Sequence, residues 1–286
     1  MHPASVFDGA DTAYFSQICA ALLNRKQTFL SEAPWITAPW EVHTKTSFDR
    51  LLDVITLLPG ILQRADRIVP QEQTLARRLL AQDLLYNCVN VEMQFDHWLT
   101  AAAQQQGDPN SNLFWIESNN PQMIPFADTF VFRDGLTAIS LIYYWMSQLL
   151  FCPCVERLYW TFFQPVVDGP FPQTVPALPG ALEHIDMLRY GRKMVRQLAS
   201  NICRSLDFAL AHSVQPDLFV APLFVVCQFY QHIGLDHGGG EDDETFAGDG
   251  RLELMWCDAF RARLVAKGRE MQEVAQGKQW RDLAAF

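Results

Sequence analysis

Two carboxylates and a histidine lie close together in one predicted helix. Glu92 and Asp96 are four residues apart, which places them on the same face of a helix, and His97 follows directly. Paired carboxylates can share a proton or hold a metal ion, and histidine changes its charge near neutral pH. The plainer interpretation puts both acids at the margin of the helix, beside the apolar side that Phe95 and Trp98 define. If the protein is an enzyme, Asp96 and His97 are candidate proton-handling residues.

A second set of candidates lies in the most apolar part of the chain. Tyr143, Tyr144 and Trp145 are consecutive within residues 135–155, which carry no charge. Tyrosine hydroxyls can orient or protonate a substrate in an aromatic cavity, but buried tyrosines more often tether their hydroxyl to the protein. His232 completes the candidate proton-handling set. The aromatic side chains expected to bind a ligand are Trp98, Tyr143, Tyr144, Trp145 and Tyr230.

The sequence predicts neither a metal centre nor a cofactor. Cys152 and Cys154 are closely spaced, but no matching pair follows them, whereas structural zinc usually takes four ligands. The chain contains no GxSxG, GxGxxG or GxxxxGK[ST] motif. Hydrolases of the serine type, dinucleotide-dependent enzymes and P-loop nucleotidases therefore lack motif support. A reaction that depends only on the shape of an aromatic cavity would leave no such motif.

Apolar residues recur at helical spacing along most of the chain, and no run alternates as a strand would. We predict an all-α fold, an irregular bundle of about nine or ten helices with antiparallel neighbours. A single domain of residues 1–286 is expected, with a polar loop at about 104–127 between its halves. Pro59-Gly60 is expected to break one helix. A central helix from about Asp128 is expected to be broken at Pro153, with a shorter helix continuing to Val167.

Two further segments complete the predicted organisation. One helix is expected to run from Leu182 to His212. The segment from Leu235 to Gly250 is rich in glycine and acids and predicts a loop, which either is simply solvated or meets a basic partner.

Composition excludes some partners. The net charge of −10 repels phosphate backbones, so direct nucleic-acid binding is not expected. Arg189, Arg192, Lys193 and Arg196 form the best basic cluster, which we interpret as a solvated helix face. The seven cysteines are an odd number within apolar patterns, as in reducing nuclear or cytoplasmic compartments. The uncharged run is predicted to be a buried helix of a soluble protein and not a membrane span, because it holds several polar residues and lacks basic flanks.

Several segments together resemble a known family. They are FLSEAPWITAPW at 29–40, FDRLLDVITLLPGILQRAD at 48–66, VEMQFDHWL at 91–99, the helix with YYW, and RYGRKMVRQLASNICRSLDFAL at 189–210. Their order resembles the regulatory region of fungal binuclear zinc cluster transcription factors. The resemblance implies an all-helical fold and a role in transcriptional control, often of secondary-metabolite genes. The six-cysteine DNA-binding module of that family is absent, so its zinc and DNA functions are not carried over.

Two functions follow as hypotheses. The first is a regulatory domain that acts through protein contacts, for example with a DNA-binding transcription factor, and through a small hydrophobic ligand; a homodimer is compatible with it. Such a chain would be a piece of a longer factor or a regulator in its own right. The alternative is a cofactor-independent isomerase or cyclase of secondary metabolism, in which a regulator fold has acquired an aromatic cavity.

Overall fold

The predicted all-α architecture is confirmed. A computed structural model of the protein describes residues 9–41, 44–104, 112–118, 125–170, 176–213, 215–236 and 250–277. Helices dominate these ranges. Their bounds are α1 Gly9–Leu23, α2 Ala33–Thr37, α3 Ser47–Ile55, α4 Leu58–Ile68, α5 Leu75–Gln104, α6 Gly135–Phe163, α7 Arg192–His212, α8 Val220–Asp236 and α9 Arg251–Gly277. The loop predicted at Leu235–Gly250 lies mostly outside the described residues.

Local sequence explains where α3 and α4 begin. Thr46 accepts a hydrogen bond from the Asp49 backbone N–H, and the Asp49 carboxylate accepts one from the Thr46 backbone N–H. This capping box satisfies amide groups that the first turn of a helix leaves without partners. Pro59 lies in the first turn of α4, where its missing N–H costs nothing. The break expected near Pro59-Gly60 therefore falls just before the proline, between Ile55 and Leu58.

The expected break at Pro153 is wrong. Helix α6 continues through Pro153 without interruption from Gly135 to Phe163. A proline inside a helix removes one backbone hydrogen bond, but packing around the helix can hold it in place. Length and composition alone would allow α6 to cross a membrane, yet 89% of its most apolar 18-residue window is buried within the protein. This burial favours the prediction of a core helix.

A small β-hairpin occupies part of the predicted loop at 104–127 and the predicted start of the central helix. Strand β1, Phe114–Ser118, pairs antiparallel with strand β2, Asp128–Phe132. The predicted loop at 104–127 therefore contains a strand, and α6 starts at Gly135 and not near Asp128. Each strand has three consecutive apolar residues, FWI in β1 and FVF in β2, so neither shows the alternation that identifies a half-buried strand in sequence.

The predicted helix from Leu182 to His212 is also shorter than expected. Residues Gly180–His184 and Met187–Arg189 form separate 3-10 turns, and α7 begins at Arg192. Asp186 caps the second turn by accepting a hydrogen bond from the Leu188 backbone N–H. An acid that bonds a nearby amide in this way offers the backbone an alternative to a continuous helix.

The chain divides into two compact units. Unit 1 comprises residues 1–112 and 147–198, and unit 2 comprises residues 113–146 and 199–286. In unit 1, helices α3 and α4 pack on α5, with Leu51, Leu62 and Phe95 in the core. In unit 2, α8 packs on α9, and Val226 and Phe260 are buried. The boundaries between the two units fall inside α6 and α7. That residues 1–286 form a single domain remains a prediction.

Candidate functional site

The acid pair on α5 faces an arginine from a segment distant in sequence. Helical spacing puts Glu92 and Asp96 on one side of α5, as the sequence predicts. Arg189 Nη2 lies 3.0 Å from Asp96 Oδ1, and Arg189 Nη1 lies 3.2 Å from Glu92 Oε1. The Arg189 pKa is raised, first by its hydrogen bond to Asp96. The Glu92 side chain is only 15% exposed while that of Asp96 is 48% exposed, so Glu92 is the acid shielded from solvent.

Tyr190 completes this cluster from the buried side. Its side chain is 2% exposed, and its hydroxyl donates a short hydrogen bond to Glu92 Oε2. Burial, and then the hydrogen bond to Glu92, raises the pKa of Tyr190 well above the usual value of a phenol. The phenol therefore keeps its proton at neutral pH. It serves here as a hydrogen-bond donor and not as a base.

A buried thiol adjoins the same segment. Cys152 Sγ lies 3.8 Å from the backbone carbonyl oxygen of Arg189 and 3.8 Å from Gln148 Oε1. Burial raises the pKa of Cys152 to about 12, with a further contribution from the Glu92 charge. A thiol in this state is a poor nucleophile, since the thiolate is the reactive form.

The segment that carries Arg189 and Tyr190 is anchored on α5 at a second point. Tyr86, six residues before Glu92 on α5, donates a hydrogen bond of 3.0 Å to the carbonyl oxygen of Pro179. The next residue, Gly180, has φ +56°, a left-handed conformation that favours glycine. The acid pair and Tyr86 thus hold residues 179–190 along α5, so the cluster stabilises this segment.

The catalytic candidates divide between the two units. Asp96 and His97 belong to unit 1, and Tyr143, Tyr144 and His232 belong to unit 2. Tyr143 is 1% exposed, and its hydroxyl donates a hydrogen bond of 2.6 Å to the backbone carbonyl of Leu218. Its hydroxyl is therefore tethered to the protein. Tyr144 is half-buried, and His97 and His232 are exposed.

The aromatic ligand-binding candidates other than Tyr144 are core residues. Trp145 packs against Phe114 and Phe130, each with its ring centroid 5.8 Å away. Tyr230 is 1% exposed. Its backbone oxygen would lie 2.8 Å from any Cβ at Gly250, whose φ is +74°. The close approach of the chain at Tyr230 thus requires glycine at position 250.

Trp98 is held in the core of unit 1. Its indole N–H donates a hydrogen bond of 2.7 Å to the backbone carbonyl of Ser47, at the start of α3. Buried indoles usually find such a partner. The polar atom of Trp98 therefore links α5 to α3.

The described part of the chain contains no group of three or more His, Cys, Asp or Glu residues placed to hold a metal ion. Cys152 and Cys154 are both buried thiols on the continuous helix α6. Residues two apart on a helix do not face each other, so the Cys-x-Cys spacing does not make a clip.

Sequence reasoning identified the acids of the cluster but missed their partners. The basic cluster that contains Arg189 predicts a solvated helix face, and its spacing gives Tyr190 no role. The sequence signal for these contacts was weak, because Arg189 lies 93 positions after Asp96 and Tyr190 lies 98 positions after Glu92. The adjacent polar and aromatic pair Arg189-Tyr190, just before a glycine, was the available hint.

Comparison with known proteins adds no assignment: no family model matches the chain, and no characterised protein or solved structure matches it either.

Proposed function

We propose that this protein is a helical regulatory domain that acts through contacts with other proteins, of the type found in fungal binuclear zinc cluster transcription factors. Its partners would include a DNA-binding transcription factor, its effector would be a small hydrophobic molecule, and its place of action would be the nucleus or cytoplasm. The resemblance of the sequence segments motivates the proposal. The observation that carries it is an exposed apolar surface on unit 1.

This surface, termed the α5 surface, surrounds the first turns of α5. Leu75 and Leu79 are one turn apart, and Leu79 is 55% exposed. Val167 is 67% exposed and lies beside them, because its backbone N–H donates to the Gln73 carbonyl at 2.7 Å. The members of the α5 surface are the exposed residues Leu75, Leu79, Leu80 and Val167.

Two further contacts fix the geometry of the α5 surface. Arg78 donates a hydrogen bond of 2.7 Å to the Gln164 carbonyl, which holds the end of α6 beside α5. Asp168 Oδ1 accepts a hydrogen bond of 2.7 Å from the backbone N–H of Leu75 and caps α5. An exposed apolar area on a well-ordered scaffold is typical of a protein-contact site.

The test combines surface substitutions with a transcript readout. Leu79→Glu and Val167→Glu should abolish the capture of a transcription-related partner by the purified chain. The same substitutions in the gene should change the transcripts that change when the gene is deleted. Met255→Glu is the matched control, because Met255 is 69% exposed on α9, outside the α5 surface. Unchanged transcripts on gene deletion, together with capture of no transcription-related partner, would reject the proposal.

The second candidate function is the isomerase or cyclase, which the cluster around Glu92 favours. Glu92 is a shielded carboxylate that contacts the Tyr190 hydroxyl and the Arg189 guanidinium, and a carboxylate is one of the groups that enzymes use for acid–base catalysis. The test is incubation of the chain with secondary-metabolite intermediates, followed by mass spectrometry. Turnover that Glu92→Gln removes would support the enzyme, and no turnover with any intermediate would reject it.

A further inference from the structure

The β-hairpin of unit 2 has an exposed outer edge at β1. Residues Trp115, Ile116, Glu117 and Ser118 are all exposed, and Trp115 and Ile116 are 50% and 59% exposed. Among the described residues the sheet has two strands, and within them β1 pairs with β2 on one side alone. The outer edge of such a strand carries backbone groups that can pair with another chain.

The register identifies which backbone groups point outward. The Arg133 N–H donates to the Leu113 carbonyl at 3.3 Å, and Phe114 lies opposite Phe132. Leu113 and Arg133 are therefore a hydrogen-bonded pair. Hydrogen-bonded and non-hydrogen-bonded pairs alternate along an antiparallel ladder, so the next pair, Phe114 and Phe132, is not hydrogen-bonded. The N–H and C=O groups of Phe114, Ile116 and Ser118 therefore point away from β2.

The opposite edge of the hairpin confirms this alternation. Ser118 pairs with Asp128, so the carbonyl of Asp128 should also point outward, on the other side of the sheet. Arg204 Nε donates to that carbonyl at 3.1 Å, and the Arg204 guanidinium lies 4.1 Å from the centre of the Phe130 ring. The β2 edge is therefore occupied by Arg204, whereas the β1 edge is the exposed one.

The two faces of β1 present different side chains to an added strand. Phe114 and Ile116 share one face, where the Phe114 ring lies 4.7 Å from the Phe130 ring. An apolar residue of an added strand would extend this layer and cover Ile116. Glu117 and Trp115 are on the other face, where a basic residue across from Glu117 would form a cross-strand ion pair.

We propose that the β1 edge binds an extended segment of a partner protein by strand addition, with apolar residues on one face and a lysine or arginine opposite Glu117. This inference rests on the proposed action through protein contacts and names the partner segment. A second copy of the chain fits the edge less well. Each copy carries a net charge of −10, and a five-residue strand buries far less than the roughly 1,200 Å² of a stable protein interface. A short peptide needs only main-chain hydrogen bonds and a few side-chain contacts.

The experiment selects peptides from a phage-displayed library of random decapeptides on the 286-residue chain. The expected result is enrichment of peptides that alternate apolar and polar residues and carry lysine or arginine on the polar face. Selection on Glu117→Lys should replace those basic residues with aspartate or glutamate. Enriched peptides without alternation, or with an unchanged charge preference on Glu117→Lys, would overturn the proposal.

A second variant tests the backbone contact directly. Ile116→Pro removes an outward N–H without removing a hydrogen bond of the hairpin, and edge strands tolerate proline. It should weaken binding of the selected synthetic peptide about tenfold, as expected for loss of one main-chain hydrogen bond and its geometry. Ile116→Val keeps the N–H and should bind as the native protein does. Equal affinity for Ile116→Pro and the native protein would overturn the proposal, as would an Ile116-dependent dimer without peptide binding.

The failure of this inference is distinguishable from failure of the proposed function. If the selected peptides ignore β1 while Leu79→Glu still abolishes partner capture, the edge inference fails and the regulatory function stands. If β1 binds peptides but the chain captures no transcription-related partner and gene deletion leaves all transcripts unchanged, the edge inference stands and the proposed function fails.

Discussion

Tyr190 offers the most direct test of the cluster on α5. Tyr190→Phe removes the hydroxyl that donates to Glu92 and leaves the ring in place. The expected loss is about 2 kcal/mol in the free energy of unfolding, since hydrogen bonds to charged groups in shielded sites contribute that much. Urea unfolding at neutral pH measures it.

The control for Tyr190→Phe is Tyr86→Phe. Tyr86 donates to the neutral carbonyl of Pro179 at a solvent-exposed position, so its loss should cost only about 0.5 kcal/mol. Equal effects of the two substitutions would show that Glu92 does not strengthen the contact with Tyr190.

The raised pKa of Asp53 predicts that its contribution to folding stability depends on pH with a sign that is unusual for a carboxyl group. Its pKa is raised, first by burial, although Lys45 pairs with Oδ2; Oδ1 is buried and has no hydrogen-bond partner among the described residues. A folded pKa above the unfolded value of about 3.9 means that the folded state binds the extra proton. The contribution of Asp53 to stability is therefore largest below the unfolded pKa and falls as pH rises through the folded pKa.

Comparison with Asp53→Asn isolates this contribution. The native protein should gain stability relative to the variant as pH falls from neutral towards 4, because other titrating groups cancel in the difference. The neighbours that act on Asp53 are Lys45 and Asp49, which both proteins share. Thermal unfolding at a series of pH values measures the difference, and a difference that shrinks or stays constant on acidification would contradict the prediction.

At the scale of single residues, the sequence predicted what local spacing determines. Glu92 and Asp96 share a helix face because four residues make about one turn. Their partner Arg189 comes from a segment that is brought to α5 by tertiary structure, and no local pattern encodes that approach. The same limit applies to Tyr143: its place in an apolar run indicates burial, but its acceptor on Leu218 lies 75 positions away.

Among the elements, the continuous helix α6 yields a prediction at Pro153. Proline cannot donate to the carbonyl of Leu149, one turn earlier, so Pro153→Ala restores a helical hydrogen bond. Alanine also makes the unfolded chain more flexible, which offsets part of the gain. The expected net result is an increase of about 1 kcal/mol in the free energy of unfolding, measured by chemical denaturation.

Pro59 is the matched control for the substitution at Pro153. It lies in the first turn of α4, where no helical hydrogen bond is lost, and it is buried. Pro59→Ala should therefore lower stability. If Pro153→Ala also lowers stability, the local structure at Pro153 requires proline, contrary to the prediction.

The elements that the sequence mispredicted are those that tertiary contacts decide. Helices α5 and α9 follow from long apolar periodicity, and α4 follows from a proline in its first turn. Strand β1 contains consecutive apolar residues and so shows no alternation, and it is stabilised by its partner strand and by Trp145. Pro153 is a strong local signal against helix, yet α6 continues because its surroundings bury it on most sides.

At the scale of the whole molecule, composition predicts ample material for a core, and the spacing of apolar residues predicts that this core is helical. A hydrophobic fraction of 49% with a charged fraction of 19% indicates ample core material. The two units are each assembled from separate stretches of chain, and a division inside α6 and α7 leaves no linker to find in the sequence.

The cysteines provide a test of whether the two units unfold together. Unit 1 buries Cys88, Cys152 and Cys154, and unit 2 buries Cys203, Cys227 and Cys257. Burial raises the pKa of Cys154 to about 12, and hydrogen bonding with Cys257 is the first cause of the raised pKa of Cys227. In the native protein these thiols should react only when the structure opens, whereas the half-buried Cys19 should react first.

We expect the two sets of cysteines to become reactive over the same range of urea concentration. Helices α6 and α7 each contribute residues to both units, so opening one unit should disrupt the helices of the other. Pulse labelling with iodoacetamide in increasing urea, read by peptide mass spectrometry, measures the rate at each cysteine. Parallel labelling of Cys152 and Cys227 through the transition would indicate one cooperative domain. Separate transitions would contradict this expectation, because shared helices would then not couple the units.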